Sequence, residues 1–434
     1  MQFISTRNER QPVGFSAALT RGLAPDGGLY VPREWPAALP AGLGAGAALA
    51  PLAARVLAPF VAGDALEPAL PAIAAEAFNF PSPLVALDGD RLGVLELFHG
   101  PTAAFKDFGA RFLAACLSRL RAGAARPLQI LVATSGDTGG AVAAAFHGRP
   151  GIEVAVLFPL GQVSPTQQQQ LCCWGGNVRT LGVRGSFDEC QRLVKQAFVD
   201  ESLRAQWELS SANSINLGRL LPQAVYYIAT SLSLQEKCGR PASFVIPSGN
   251  LGNATACVWA QRLGAPIAQI VLAHNANRTV PDYLAGGVLR VRPSIATLAS
   301  AMDVGNPSNL ERLSALYPGA ARLGAELSAV SVDDAAIRAR IRADYERYGV
   351  IWCPHTATAA EAWARLSPKQ RGGGPWALVA TADPAKFREI VEPLVGRPVP
   401  LPESLARLFR LPARLVEINA TLDALRTALA GPAP

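Results

Sequence analysis

Through the middle of the chain, short apolar runs alternate with amphipathic stretches. LQILVAT (128–134) reads as a buried strand and passes at once into SGDTGGAVAAAFHG, a turn that opens a helix. EVAVLFP (153–159) is the next strand and SPTQQQQLCCWGG the next helix. VRTLGV (178–183) followed by SFDECQRLVKQAF repeats the unit. A long helix is expected from Leu217 to about Glu236, then a strand SFVIPS (243–248), a helix from Ala254 and a strand IAQIVLA (267–273). WALVATA (376–382) is a further buried strand, and Pro384 opens another helix. Strands that are apolar on both faces and alternate with helices predict an α/β fold with parallel sheets covered by helices.

The ends differ in texture. Residues 1–90 form an expected N-terminal unit, with turns at APDGGLYVP and an Ala/Pro-rich helical stretch after it. Residues 91–396 are the expected main α/β region, in two subdomains. LSPKQRGGGP (366–375) reads as a Gly-rich surface loop, and residues 397–434 as a helical tail packing back on the body. The Ala-rich stretch 41–62 is broken by Pro51, Arg55 and Pro59, which makes it a poor membrane span.

Composition narrows the function. The chain has 434 residues, half of them hydrophobic, enough for more than one core. The net charge is +7, and scattered arginines account for it as a solubility feature. No basic run with interleaved aromatics occurs, so nucleic acid is not an expected partner. Seven cysteines without a C-x-x-C pair give neither zinc spacing nor a disulfide framework. No metal is expected, and reduced cysteines fit the cytoplasm. The N-terminus lacks a signal pattern. Oligomeric state stays open.

Three segments carry candidate chemistry. In FHGPTAAFKDF (98–108), Lys106 could snorkel or pair with Asp107. Alternatively, a partly buried lysine has a lowered pKa and a free amine able to attack an aldehyde. SGNLGN (248–253) lies between a strand and a helix, where two glycines and free helix-start amides could cradle a phosphate. It could equally be a tight turn with an Asn cap. SGDTGG (135–140) repeats the arrangement, either as a carboxylate site or as a capped helix start.

These segments stand in a longer series. FHGPT-x-AFKD, SGDTG, S-x-NSIN-x-GR, PSGN-x-GN, MD-x-x-NPSN-x-ER and HTA, in this order, resemble the threonine synthase family, as does the N-terminal STR…GLAPDGGLYVP. The resemblance runs from Ile4 to about Leu394. It implies the fold type II pyridoxal-phosphate architecture and conversion of O-phospho-L-homoserine and water to L-threonine and phosphate. A phospho-lyase or a serine/threonine dehydratase on the same scaffold is the alternative. The resemblance also implies that Lys106 carries the cofactor, pyridoxal 5'-phosphate. Gly249, Asn250, Leu251, Gly252 and Asn253 would bind its phosphate, and Thr381 its ring nitrogen. Ser135, Gly136, Asp137 and Thr138 would take the substrate carboxylate. Ser211, Asn213, Ser214, Asn216 and Arg219 would lie near the substrate, with Arg219 either a phosphate partner or half of a structural salt bridge. Asp383 departs from the family's usual His before Pro-Ala-Lys-Phe. As Asp before Pro it is expected to cap the following helix, the competing reading being approach to the ring nitrogen.

Overall fold

The computed structural model describes residues 1–431; the last three residues of the expected tail lie outside it. Strands are numbered along the chain: β1 Phe3–Ser5, β2 Tyr30–Pro32, β3 Leu84–Asp88, β4 Leu92–Glu96, β5 Leu128–Ala133, β6 Ile152–Pro159 and β7 Val178–Arg184. They continue with β8 Glu208–Ser211, β9 Ala242–Pro247, β10 Ile267–His274, β11 Ser328–Ser331, β12 Trp376–Ala380 and β13 Val416–Asn419.

Two parallel sheets dominate. One runs β13-β7-β6-β5-β8, parallel throughout. The other runs β11-β10-β9-β12-β4-β3, antiparallel only at the β3–β4 edge. The α/β reading with parallel sheets is borne out. The reason lies in the pleat, which sends successive side chains to opposite faces. On β5, Leu128, Ile130 and Val132 enter the central core, and Leu131 and Ala133 enter a second one behind the sheet. On β12, Ala377 and Val379 face the central core, and Trp376, Leu378 and Ala380 a third. Both sheets thus turn one face to a shared core, and their carboxyl ends meet at one cleft.

Several expectations are revised. The boundary at residue 90 falls in the turn between β3 and β4, which pair with each other. Phe3, Phe15, Val56 and Phe60 of the N-terminal unit lie in the central core, so that unit has no separate interior. The helix expected from Leu217 is broken into Leu217–Leu220, a 3-10 turn Leu221–Gln223 and Ala224–Cys238. Pro222, without an amide hydrogen, sits in the break. The Gly-rich loop contains a short helix, Pro368–Arg371, started by a capping box between Ser367 and Gln370. The tail is not purely helical: β13 joins the edge of the five-stranded sheet between helices Glu403–Phe409 and Leu422–Ala430. Among the described residues, no helix is long and apolar enough to cross a membrane.

Candidate active site

Lys106 opens the helix Lys106–Leu120 and points into the cleft between the sheets. Its Nζ donates to Thr138 Oγ1 at 3.1 Å and lies 4.9 Å from the centre of the Phe105 ring. Burial pushes its pKa down to about 8; Asp137 opposes this, while Arg219 and Lys386 add to it. It does not pair with Asp107, whose carboxylate accepts from the Thr102 amide and hydroxyl at 2.8 and 2.7 Å. A partly buried amine with a lowered pKa and no carboxylate hydrogen bond has a larger neutral, nucleophilic fraction near pH 7 than an ordinary lysine.

Apart from glycines, only Ala103 and Leu251 among the described residues have positive φ, at 52° and 61°. Both sit in loops of this cleft, where such strained backbone concentrates. Leu251 precedes the helix Gly252–Arg262, whose first amides have no carbonyl four residues back. Gly249 is required by close approach: a Cβ there would lie 2.7 Å from the Met302 Cα. Asn250 bridges neighbouring segments, donating to Ser214 Oγ at 2.8 Å and accepting from the Ser308 amide at 2.5 Å. Asn309 Nδ2 also donates to Ser214 Oγ, at 3.2 Å. With two donors already on its oxygen, the Ser214 hydroxyl hydrogen is left for a ligand. Asn253 Oδ1 accepts from Tyr226 and Tyr227 hydroxyls at 2.5 and 2.9 Å, and its Nδ2 is buried without a partner.

On the facing side, Thr134 Oγ1 accepts from the amides of Gly136 and Gly139 at 3.0 and 2.9 Å. The amides of Asp137 and Thr138 lie between them, at the start of helix Asp137–Phe146. Gly136 is needed at a φ of 136°, where a Cβ would also meet the Gln167 side chain. The Asp137 carboxylate is already engaged, by Lys386 Nζ at 2.8 Å and Gln167 Nε2 at 3.0 Å. Burial alone would raise its pKa, but the charges of Lys386, Lys106 and His355 more than offset this and hold it well below the usual range.

Arg219 is buried beside the cleft. Its Nη1 donates to the Ala212 carbonyl and its Nε has no partner. Burial lowers its pKa to about 10, slightly opposed by Asp107. It makes no ion pair among the described residues, so the structural salt bridge is absent. Thr381 follows β12, and its carbonyl accepts from the Phe105 amide at 2.9 Å, which ties it to the lysine loop. Asp383 accepts from the Ala385 amide at 2.8 Å as the cap of the turn Pro384–Phe387, as its position before proline predicted.

Thus Lys106, Ser135, Asp137, Thr138, Asn213, Ser214, Arg219, Gly249, Asn250, Leu251, Gly252, Asn253 and Thr381 line one cleft. Gly136, Ser211 and Asn216 do not reach it. Ser211 bonds Asn213 and lines an adjoining hollow, and Asn216 caps helix Leu217–Leu220 while donating to the Leu19 and Ser211 carbonyls. Three contributors stand in quoted motifs but were given no role there. His355 lines the cleft and accepts the Ala301 amide at 3.1 Å, with burial lowering its pKa to about 4. Arg312 holds the Ile215 and Tyr30 carbonyls at 2.6 and 3.1 Å. Lys386 is the third, and an apolar setting like that of Lys106 (PAKF beside AFKDF) was its signal.

An amine of lowered pKa between two strand-end loops, with unpartnered Asn253 Nδ2 and Arg219 Nε, fits a cofactor bearing an aldehyde and a phosphate. Residues 76–382 match the family described as pyridoxal-phosphate dependent enzyme, which defines the class. Residues 2–78 match the threonine synthase N terminus and residues 356–429 the threonine synthase C-terminal family. The threonine synthase of Escherichia coli (strain K12) is 38% identical over 429 residues, covering 98% of both chains. The crystal structure of the Escherichia coli enzyme superimposes with a TM-score of 0.87 at 37% identity over 99% of each chain. The pyridoxal-phosphate-bound threonine synthase of Brucella melitensis does so at 0.88, with 35% identity over 98% of each. The chain belongs to the threonine synthase family of pyridoxal-phosphate-dependent enzymes.

Proposed function

We propose that this member of the family converts O-phospho-L-homoserine and water to L-threonine and phosphate. The observation that carries the reading is the placement of Lys106 between two loops suited to anions, with Arg219 and the Ser214 hydroxyl beside them. Pyridoxal phosphate, when bound, supplies an electron sink for the charge left at a deprotonated carbon. Lys106 would hold it by its aldehyde, the amides of 249–253 and Asn253 Nδ2 by its phosphate, and the Thr381 hydroxyl by its ring nitrogen.

The remaining work belongs to the chain's own side chains. The amides of Asp137 and Thr138, with the Ser135 and Thr138 hydroxyls, orient the substrate carboxylate. Arg219 and Ser214 hold the substrate phosphate, a fork of donors meeting an anion. Lys106 Nζ moves a proton at the substrate Cα, and its pKa of about 8 leaves a usable fraction neutral near pH 7. The cytoplasm is the proposed compartment, supported by seven cysteines that are all free.

Incubation of the holoenzyme with phosphohomoserine tests the reading. Threonine with one equivalent of phosphate is the expected product. Release of 2-oxobutyrate with phosphate would assign a phospho-lyase instead.

A further inference from the structure

Lys386 is fully buried, and its Nζ binds both Asp137 Oδ1, at 2.8 Å, and the Thr102 carbonyl, at 2.9 Å. Gln167, which also donates to Asp137, lies on helix Pro165–Cys172. That helix is capped by Ser164, whose hydroxyl donates to the Lys386 carbonyl at 2.8 Å. One lysine therefore joins the loop of Lys106, the 135–139 loop and the helix behind it.

Such a pair has no evident stability rationale, since an apolar pair of similar volume serves as well or better. Its position supplies an electrostatic one. Asp137 opens the helix whose first amides are offered to an anionic carboxylate. Left alone, its buried charge would repel that ligand. The geometry points to Lys386 as a positioning residue that cancels the Asp137 charge, so that the 135–139 loop can accept a carboxylate. Asp137 can then anchor Gln167 and the loop without leaving net charge beside the ligand. This inference rests on the reading of 135–139 as the carboxylate loop.

The test uses the holoenzyme and two dead-end ligands. One is a phosphonate isostere of the substrate with a methylene for the ester oxygen; the other is its carboxamide. The readout is the affinity ratio of acid to amide, with borohydride fixation at Lys106 confirming the loaded site. Lys386→Gln is expected to lower the ratio at least about tenfold, the scale of one charged contact. Asp137→Asn is expected to raise it, and the double variant to return it to within about threefold of the starting ratio, both charges being gone. If Lys386→Gln does not fold, Asp137→Asn and the double variant decide. A ratio that Asp137→Asn lowers, or that none of the variants moves, overturns the inference. Thr138→Val separates the underlying reading: a ratio unmoved there means that the carboxylate does not bind this loop.

Discussion

The two strand-end loops flanking Lys106 share one strand–turn–helix plan and are secured by opposite means. The loop after β5 is held by charge: Asp137 takes Lys386 and Gln167 on the same oxygen. The loop after β9 is held by neutral groups. Asn250 reaches Ser214 and the Ser308 amide, and Asn253 takes two tyrosine hydroxyls whose pKa values burial raises well above normal. On the proposed reading, a phosphate dianion would meet amides and neutral donors in this loop. The other loop tolerates a carboxylate side chain because its charge is balanced. The first loop should therefore respond to single charge changes, and the second to single changes of shape.

Removing the amine between the loops has the largest expected effect. Lys106→Ala should lower threonine formation by roughly 10²–10⁴-fold and abolish borohydride fixation, as read by steady-state assay and peptide mapping. Next is Arg219→Ala, outside both loops. It should weaken phosphohomoserine by about 1.5–3 kcal/mol and a phosphate-free amino acid much less; equal losses would make Arg219 a scaffold residue. Gly249→Ala tests shape in the neutral loop. Its Cβ would meet backbone rather than a yielding side chain, so cofactor affinity should fall by about 1–3 kcal/mol, with the acid-to-amide ratio unmoved. In the apo-protein, cofactor capture should quicken as pH rises through about 8, where burial sets the Lys106 midpoint. The sign follows because only the neutral amine attacks, and burial favours it. A midpoint near the usual lysine value would mean a solvated amine. The smallest effect is expected for Asp383→Asn, which keeps the cap and should leave turnover nearly unchanged.

Much of this was legible in the chain, for local reasons. Strands such as β5, β6 and β9 are continuous apolar runs because both faces are covered. Asp383 was readable as a cap because proline follows it. Of the strands that escaped, β1, β2, β8 (ELSS), β11 (SAVS) and β13 (VEIN) are too short for their pattern alone to separate them from loop or helix, and the more apolar β3 (LVALD) and β4 (LGVLE) flank the expected boundary at residue 90. The motif residues marked the cleft but not each residue's task. Asn216 and Ser211 shape the turn, while Asn213 and Ser214 beside them line the cleft. Lys386 was missed because its partner, Asp137, is far away in sequence, and nothing local connects them.

The edge strand β13 has a consequence for how the molecule is made. It lies against β7 in parallel register, yet β9, β10, β11 and β12, four strands of the six-stranded sheet, are synthesised between the two. Until Val416 to Asn419 emerge from the ribosome, the outer edge of β7 carries unanswered amides and carbonyls beside an apolar face that includes Leu181 and Val183. The smaller sheet therefore spends most of its synthesis with one side open, the condition under which nascent chains meet chaperones or one another.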